Sequence, residues 1–157
     1  HTTYSTMHAD SPQSLIHRLE GKPINIPRIM LQALEVISIQ ATARVKGKRV
    51  RRCKQIVEIL DIDPKTKEIL TNEVFRWDPM DDTFIYSGKS YILEKIRASR
   101  GMSKEEMMEE IKRRVKILMW MVKEGVRSYK EVARIVAEYA ENPSAVMKRI
   151  EGKDGTK

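Results

Sequence analysis

The sequence has one cysteine, two tryptophans and two phenylalanines in 157 residues, and it has no long apolar run. The single thiol, Cys53, cannot form a disulfide within the chain, and no Cys or His cluster has zinc-ligand spacing. A disulfide scaffold is therefore excluded, and no metal site is predicted. The longest apolar run, residues 117–122, is far shorter than the roughly 20 residues that a membrane-spanning helix needs. These absences predict a soluble domain from a reducing compartment.

Charged residues are abundant and their balance is basic. Lys and Arg number 30 against 22 Asp and Glu, which gives a formal net charge of +8, and 41% of the residues are hydrophobic. A chain of this length and apolar content can bury a core without disulfides or metal. The few amide residues, four Gln and three Asn, beside many Lys, Glu and Ile are typical of hyperthermophile proteins.

The N-terminal part has alternating strand and helix patterns. Residues 1–7, HTTYSTM, predict a strand, and a helix capped by Asp10 or Ser11 is expected to run to Glu20. A second helix is predicted at 27–34, followed by a strand at 36–45. Because few domains begin inside a strand, we expect this chain to continue a longer polypeptide.

The middle of the chain predicts a four-stranded antiparallel meander. A turn at 46–48 separates the strand at 36–45 from a second strand that ends at Leu60, and residues 63–66 form the next turn around a proline. Two further strands are predicted at 69–77 and 83–86.

From Tyr91 the apolar period becomes helical, and a small bundle is predicted. Two capping boxes, Ser103-x-x-Glu106 and Ser128-x-x-Glu131, open its main helices, and a short helix follows at 145–150. The inner face of the first of these helices is predicted to be the apolar stripe Met107, Ile111, Val115, Leu118 and Val122. The predicted domains are residues 1–90 (α/β with the meander), 91–150 (helical bundle) and 151–157 (flexible tail).

The segment Gly88-Lys89-Ser90 looks like part of a phosphate-binding loop, because it follows a strand and precedes a helix. The first glycine of that motif would fall at position 83, which is Thr. A Gly-rich cradle is therefore not expected. We interpret the segment as a connector in which Gly88 turns the chain and Ser90 caps the next helix.

Residues 44–54 contain seven cations at the tip of the first hairpin. Such a run could bind nucleic acid, a protein or anionic lipid, or it could be a solvated edge that discourages aggregation. It lacks the aromatic residues that stack on bases, so nucleic acid is disfavoured. The alternative function is a basic nucleic-acid-binding module that uses this hairpin and the helix pair at 103–140, where Lys130, Arg134 and Glu138 are expected to be exposed.

Three histidines, His1, His8 and His17, precede the meander. His8 lies between a predicted strand and a helix, which is the edge where open α/β sheets bind ligands. An extended segment would hold His1 roughly 20 Å from His8, so only one of them can reach a given phosphate. We assign that role to His8, with Thr6 adding a hydroxyl to the same face.

Four longer stretches of the sequence resemble a known family. The stretches HTTYSTMHADSPQSLIHRLE and PINIPRIMLQALEVISIQ resemble the His box and following segment of type II/IV secretion-superfamily motor ATPases, above all the archaeal branch that drives archaella and type IV pili. The stretches VRRCKQIVEILDIDPKTKEILTNEVFRWDP and FIYSGKSYILEKI resemble the same branch. In this family Walker A and Walker B precede the His box.

The resemblance implies that residues 1–90 complete a RecA-like P-loop NTPase domain of a homo-hexameric ATPase. ATP and Mg²⁺ would be bound mainly by residues upstream in the same polypeptide, so the 157 residues alone are expected to be inactive. The paired His-box histidines map onto His1 and His8, with His8 sensing the γ-phosphate, and Arg18 resembles a recurring family position. The protein would be cytoplasmic, docked on a membrane platform protein at the inner face of the membrane.

Overall fold

The computed structural model describes residues 3–154 and divides the chain into two compact units between Ile96 and Arg97. The first unit contains the sheet and the short helices before and after it. The last of these helices continues across the division. Its elements are α1 (Pro12–Glu20), a 3₁₀ helix (Arg28–Ala33), β1 (Val36–Val45), β2 (Lys48–Ile62), β3 (Ile69–Asp78), β4 (Thr83–Tyr86) and α2 (Tyr91–Ser99).

The four strands form one antiparallel sheet in the order β1-β2-β3-β4, which confirms the predicted meander. Ile37, Ile39 and Ile59 are buried on one face of the sheet and pack with Leu15, Leu34 and Ile69. Alternation along each strand therefore separates a core face from a second face.

A β-bulge interrupts the pairing of β1 with β2. Ile39 pairs with Gln55, but Gln40 pairs with Cys53, so Lys54 is an extra residue in β2. Side chains alternate with period two, so one extra residue exchanges the faces of the odd and even positions beyond it. This bulge sets which side chains of the distal hairpin share a face.

Helix α1 begins as the sequence predicts. The Ser11 hydroxyl accepts a hydrogen bond from the backbone N–H of Ser14 at 3.2 Å, and Pro12 occupies the first turn. A proline there costs no hydrogen bond because the first-turn N–H groups have no helical partner.

Two N-terminal predictions are wrong. Residues 3–9 form no strand, because a strand needs a hydrogen-bonded neighbour and none of residues 3–154 supplies one here; positions 1 and 2 lie outside the described residues. The helix predicted at 27–34 is a six-residue 3₁₀ helix, a form that occurs in short pieces. Arg28 anchors it by donating to Glu20 Oε2 at 2.6 Å and to the Lys67 carbonyl at 3.0 Å.

The second unit is helical, as predicted, with α3 (Lys104–Lys123), α4 (Tyr129–Glu141) and α5 (Pro143–Asp154). Ser103 and Glu106 form the predicted capping box. Ser128 occupies the N-cap of α4 without a side-chain cap bond, so the second capping box is wrong. Helix α5 extends past the predicted 145–150 at both ends. At its start, Asn142 Oδ1 caps the helix by accepting a hydrogen bond from the Ala145 N–H at 3.0 Å.

The predicted inner face of α3 is largely wrong. Met107 is buried, but Val115, Leu118 and Val122 are 52%, 54% and 72% exposed. The core instead uses a neighbouring stripe of the same helix, and it consists of Ile117, Trp120, Met121, Ile135, Tyr139, Val146 and Ile150. Trp120 belongs to this second stripe, and a large aromatic side chain gains most from burial.

Within residues 3–154, the helices are all too short or too polar to cross a bilayer.

Candidate functional site

A cleft of about 440 Å³ runs along the first half of β1, at the edge of the sheet. Residues 5–9 form one wall, and α1 and β1 form the others. The lining is mixed, with apolar side chains beside hydroxyls, an imidazole and an amide; its members include Thr6, His8, Leu15, Leu34, Ile37, Ser38, Ile39 and Gln40.

The structure brings two of the four predicted site residues together. Thr6 and His8 both line the cleft and are exposed. Arg18 lies on an exposed part of α1 outside the cleft, and His1 lies outside the described residues. His8 is therefore available to donate a hydrogen bond to a ligand in the cleft, with the Thr6 hydroxyl beside it in the same segment.

Two polar residues of the cleft were missed by sequence reasoning. Gln40 Nε2 donates to Ser38 Oγ at 2.8 Å, and both side chains line the cleft from β1. The signal was present in the alternating pattern of residues 36–45, which predicts that Ser38 and Gln40 share one face of the strand. This pair adds a hydroxyl and an amide opposite the histidine segment.

The start of helix α2 is the second polar centre. Glu58, only 2% exposed, lies on β2 and accepts hydrogen bonds from the N–H of Tyr91 at 2.9 Å and of Ile92 at 3.2 Å. Asn72 Nδ2 donates to the same carboxylate at 3.0 Å, and the Ser90 hydroxyl donates to it as well. An internal carboxylate thus occupies the position where a helix N-terminus binds an external anion.

The ionisation of Glu58 follows from these contacts. Burial raises the pKa of Glu58, but hydrogen bonds from Ser90, Asn72 and the two backbone N–H groups outweigh it and lower the pKa below its usual range. The carboxylate is therefore charged at neutral pH and stabilises the helix start.

This geometry confirms the connector interpretation of residues 88–90. Gly88 has φ +86°, a left-handed conformation that favours glycine, and Ser90 Oγ accepts from the Leu93 N–H at 3.2 Å. The ammonium of Lys89 lies 4.2 Å from the centre of the Tyr91 ring. Its cation is engaged with an aromatic face rather than with a phosphate cradle.

The predicted recognition helix of the nucleic-acid alternative carries paired charges. On α4, Arg134 donates to Glu138 at 2.6 Å, and Arg149 of α5 donates to the same carboxylate at 2.8 Å. A carboxylate between two cations reduces the positive potential that a DNA-reading helix needs.

Within residues 3–154, no group of three or more His, Cys, Asp or Glu side chains is placed so that it could hold a metal ion.

Comparison with known proteins finds a family model that matches the C-terminal part of the chain. Residues 80–156, which comprise β4 and all the helices after the sheet, match the family model described as PilB3-like, C-terminal. This match is consistent with the C-terminal region of a type IV pilus or secretion ATPase, and it supports part of the resemblance read from the sequence.

The relatives are three uncharacterized proteins of Methanocaldococcus jannaschii. They are 42%, 30% and 32% identical to this chain over 141, 145 and 145 residues, which is 90%, 92% and 90% of this chain. The aligned parts are 52%, 20% and 26% of the relatives' own lengths. The chain thus spans about half the length of the first relative and about a quarter or less of the others.

Proposed function

We propose that this chain is the C-terminal part of an ATP-hydrolysing motor of the type II/IV secretion superfamily, which powers assembly of a type IV pilus or archaellum. The observation that carries the proposal is the PilB3-like match of residues 80–156, which follows a segment resembling the family's His box. In this proposal residues 1–90 complete a RecA-like domain whose earlier part precedes His1.

His8 is the proposed γ-phosphate sensor. It lies with Thr6 on the wall of an open cleft, where its N–H can donate to a phosphoryl oxygen. Charge on the γ-phosphoryl oxygens is redistributed during transfer, so a positioned donor lowers the barrier. The residues that hold Mg²⁺ and the ATP triphosphate are assigned to the upstream polypeptide, where Walker A and Walker B lie in the family that the sequence resembles.

The whole motor is proposed to be a homo-hexamer that docks on a membrane platform protein from the cytoplasm. An exposed apolar stripe on α3, with Val115, Leu118, Met119 and Val122, supports assembly into a larger complex. Contiguous exposed apolar surface of this kind is typical of protein interfaces.

The test uses the longer protein that contains this chain. His8→Ala is expected to lower kcat by roughly ten- to a thousandfold while ATP binding stays within about twofold, because the lost bond forms in the transition state. His17→Ala is the matched control, since His17 is an exposed imidazole on α1 outside the cleft. Equal loss of turnover in both variants, or none in His8→Ala, would overturn the assignment.

A further inference from the structure

The distal part of the β1–β2 hairpin is a two-stranded ribbon. Strand β3 pairs with β2 only from Gln55 to Ile62, so residues 48–54 of β2 have β1 as their strand neighbour. We call residues 40–53 the ribbon. Seven of the fifteen Lys and Arg in residues 1–96 fall between positions 44 and 54, and no Asp or Glu lies among them.

Beyond the bulge at Lys54, the two faces of the ribbon carry different sets of side chains. One face, here named the basic face, carries exposed or polar side chains from both strands, namely Gln40, Thr42, Arg44, Arg49, Arg51 and Cys53. The opposite face carries the half-buried residues Ala41, Ala43, Val45, Val50 and Arg52, together with the exposed Lys48 at the hairpin end. Three arginines therefore project from a single side of the ribbon.

These three arginines are crowded and uncompensated. Arg44 pairs directly with Arg49 across the strands, an arrangement of like charges that destabilises a sheet. Within residues 3–154, Arg44, Arg49 and Arg51 make no ion pair, whereas Arg52 on the opposite face binds Asp82 through two bonds of 2.7 Å. An anionic partner would remove the repulsion on the basic face.

An acidic turn lies against the opposite face of the ribbon. The Arg52–Asp82 contact holds the β3–β4 turn, with Asp78, Asp81 and Asp82, beside the ribbon. Hydrogen bonds from Arg52 and Trp77 lower the pKa of Asp82 to about 2, so this carboxylate stays charged. No Asp or Glu lies within residues 40–53, so the basic face is the side of the ribbon that is left for an anionic partner.

The spacing of the arginines fits an extended peptide. Arg49 and Arg51 are two residues apart on β2, so their Cα atoms are separated by roughly 7 Å. An extended chain repeats its side chains on one face at the same interval, and the guanidinium fork binds a carboxylate through two bonds. No Phe, Trp or Tyr lies between residues 36 and 54, so base stacking has no platform there.

We propose that the basic face of the ribbon binds an extended acidic segment of a partner protein, with Asp or Glu at alternate positions. Arg49 and Arg51 bind successive carboxylates on one side of that segment, and Arg44 contacts the first of them from across the strands. The inference is independent of the proposed ATPase role, since Arg44, Arg49 and Arg51 do not line the cleft.

The test measures binding of a fluorescein-labelled synthetic peptide of alternating Glu and Thr to the 157-residue chain by fluorescence anisotropy at low salt. The double variant Arg49→Glu/Arg51→Glu is expected to weaken binding by about tenfold or more, because two charge-assisted pairs become repulsive. A matching peptide of alternating Lys and Thr is expected to bind this variant and not the original chain.

The control is Lys65→Glu/Lys67→Glu, which makes the same change in net charge in the β2–β3 turn, at the other end of β2. Circular dichroism checks that both variants remain folded. Equal weakening by the two double variants would overturn the proposal, because it would show a response to net charge alone. Tighter binding of a short DNA duplex or of anionic phosphatidylglycerol vesicles at the same salt would also overturn it.

Discussion

Glu58 on β2 and Tyr91 in the first turn of α2 are 33 positions apart in sequence, and the carboxylate of the first accepts a 2.9 Å hydrogen bond from the backbone N–H of the second. The bond joins the middle of the sheet to the start of the helix that follows it. A helix N-terminus has unpaired N–H groups and a positive potential, so a buried carboxylate is stabilised there.

Replacing this carboxylate with an amide is expected to destabilise the sheet unit. Glu58→Gln removes the charge and turns an N–H₂ group toward existing donors, which we expect to cost about 2 kcal/mol in the free energy of unfolding. Urea denaturation measures the loss, and amide hydrogen exchange of Tyr91 and Ile92 should become faster. Glu73→Gln, an exposed change on β3, is the control and should stay within about 0.5 kcal/mol. Equal stability of the two variants would contradict this account of Glu58.

The same carboxylate predicts a pH dependence. Because the pKa of Glu58 is lower in the folded chain than in the unfolded one, its contribution is complete above the unfolded pKa of about 4.3 and is lost as the pH falls through the folded pKa. The stability difference between the original chain and Glu58→Gln should therefore be constant above about pH 5.5 and shrink in more acidic solution. Urea denaturation at a series of pH values measures it, and a difference that grows on acidification would have the wrong sign.

The loop at residues 88–90 is predicted not to bind phosphate. Its nearest backbone donors, the N–H groups of Tyr91 and Ile92, already donate to Glu58. Titration with inorganic phosphate or ADP should leave the NMR amide signals of residues 88–92 in place. Glu58→Ala frees the same donors, so formate is expected to shift those signals in that variant. A saturable shift in the original chain would refute the prediction.

Two adjacent residues of α3 are predicted to differ sharply in their effect on stability. Ile117 is 4% exposed and Leu118 is 54% exposed. Ile117→Ala should cost about 3 kcal/mol because it opens a cavity in the helical core, while Leu118→Ala should cost less than about 1 kcal/mol. Urea denaturation followed by Trp120 fluorescence measures both. A larger loss for Leu118→Ala would mean that the sequence-based stripe, and not the observed one, faces the core.

Local patterns were enough to predict the sheet. The strand at 36–45 has the predicted bounds, because its β-branched residues lie between clear turn signals. The capping box at Ser103 was also visible, since both of its partners lie within one helical turn. These features depend only on residues close together in sequence.

Features that depend on distant partners were not predictable. Helix α3 carries two apolar stripes with helical spacing, and only the packing of Trp120 against α4 and α5 selects between them. Glu58 could have been flagged as a charge within the apolar run 56–60, but its donors lie more than thirty residues away, apart from Asn72. In the cleft, the sequence predicted that Thr6 and His8 share a site, and it missed Ser38 and Gln40 because they lie on β1, about thirty residues away in sequence.

The bulge at Lys54 is a position at which the length of β2 can change by one residue without altering the pairing beyond it. Deleting Lys54 would remove the extra residue and leave Gln40 opposite Cys53 and Arg44 opposite Arg49, so Arg49 and Arg51 would stay on the basic face. The three-arginine surface would persist in a strand that is one residue shorter. A relative can therefore gain or lose a residue at this position through a single-codon insertion or deletion and keep the same surface.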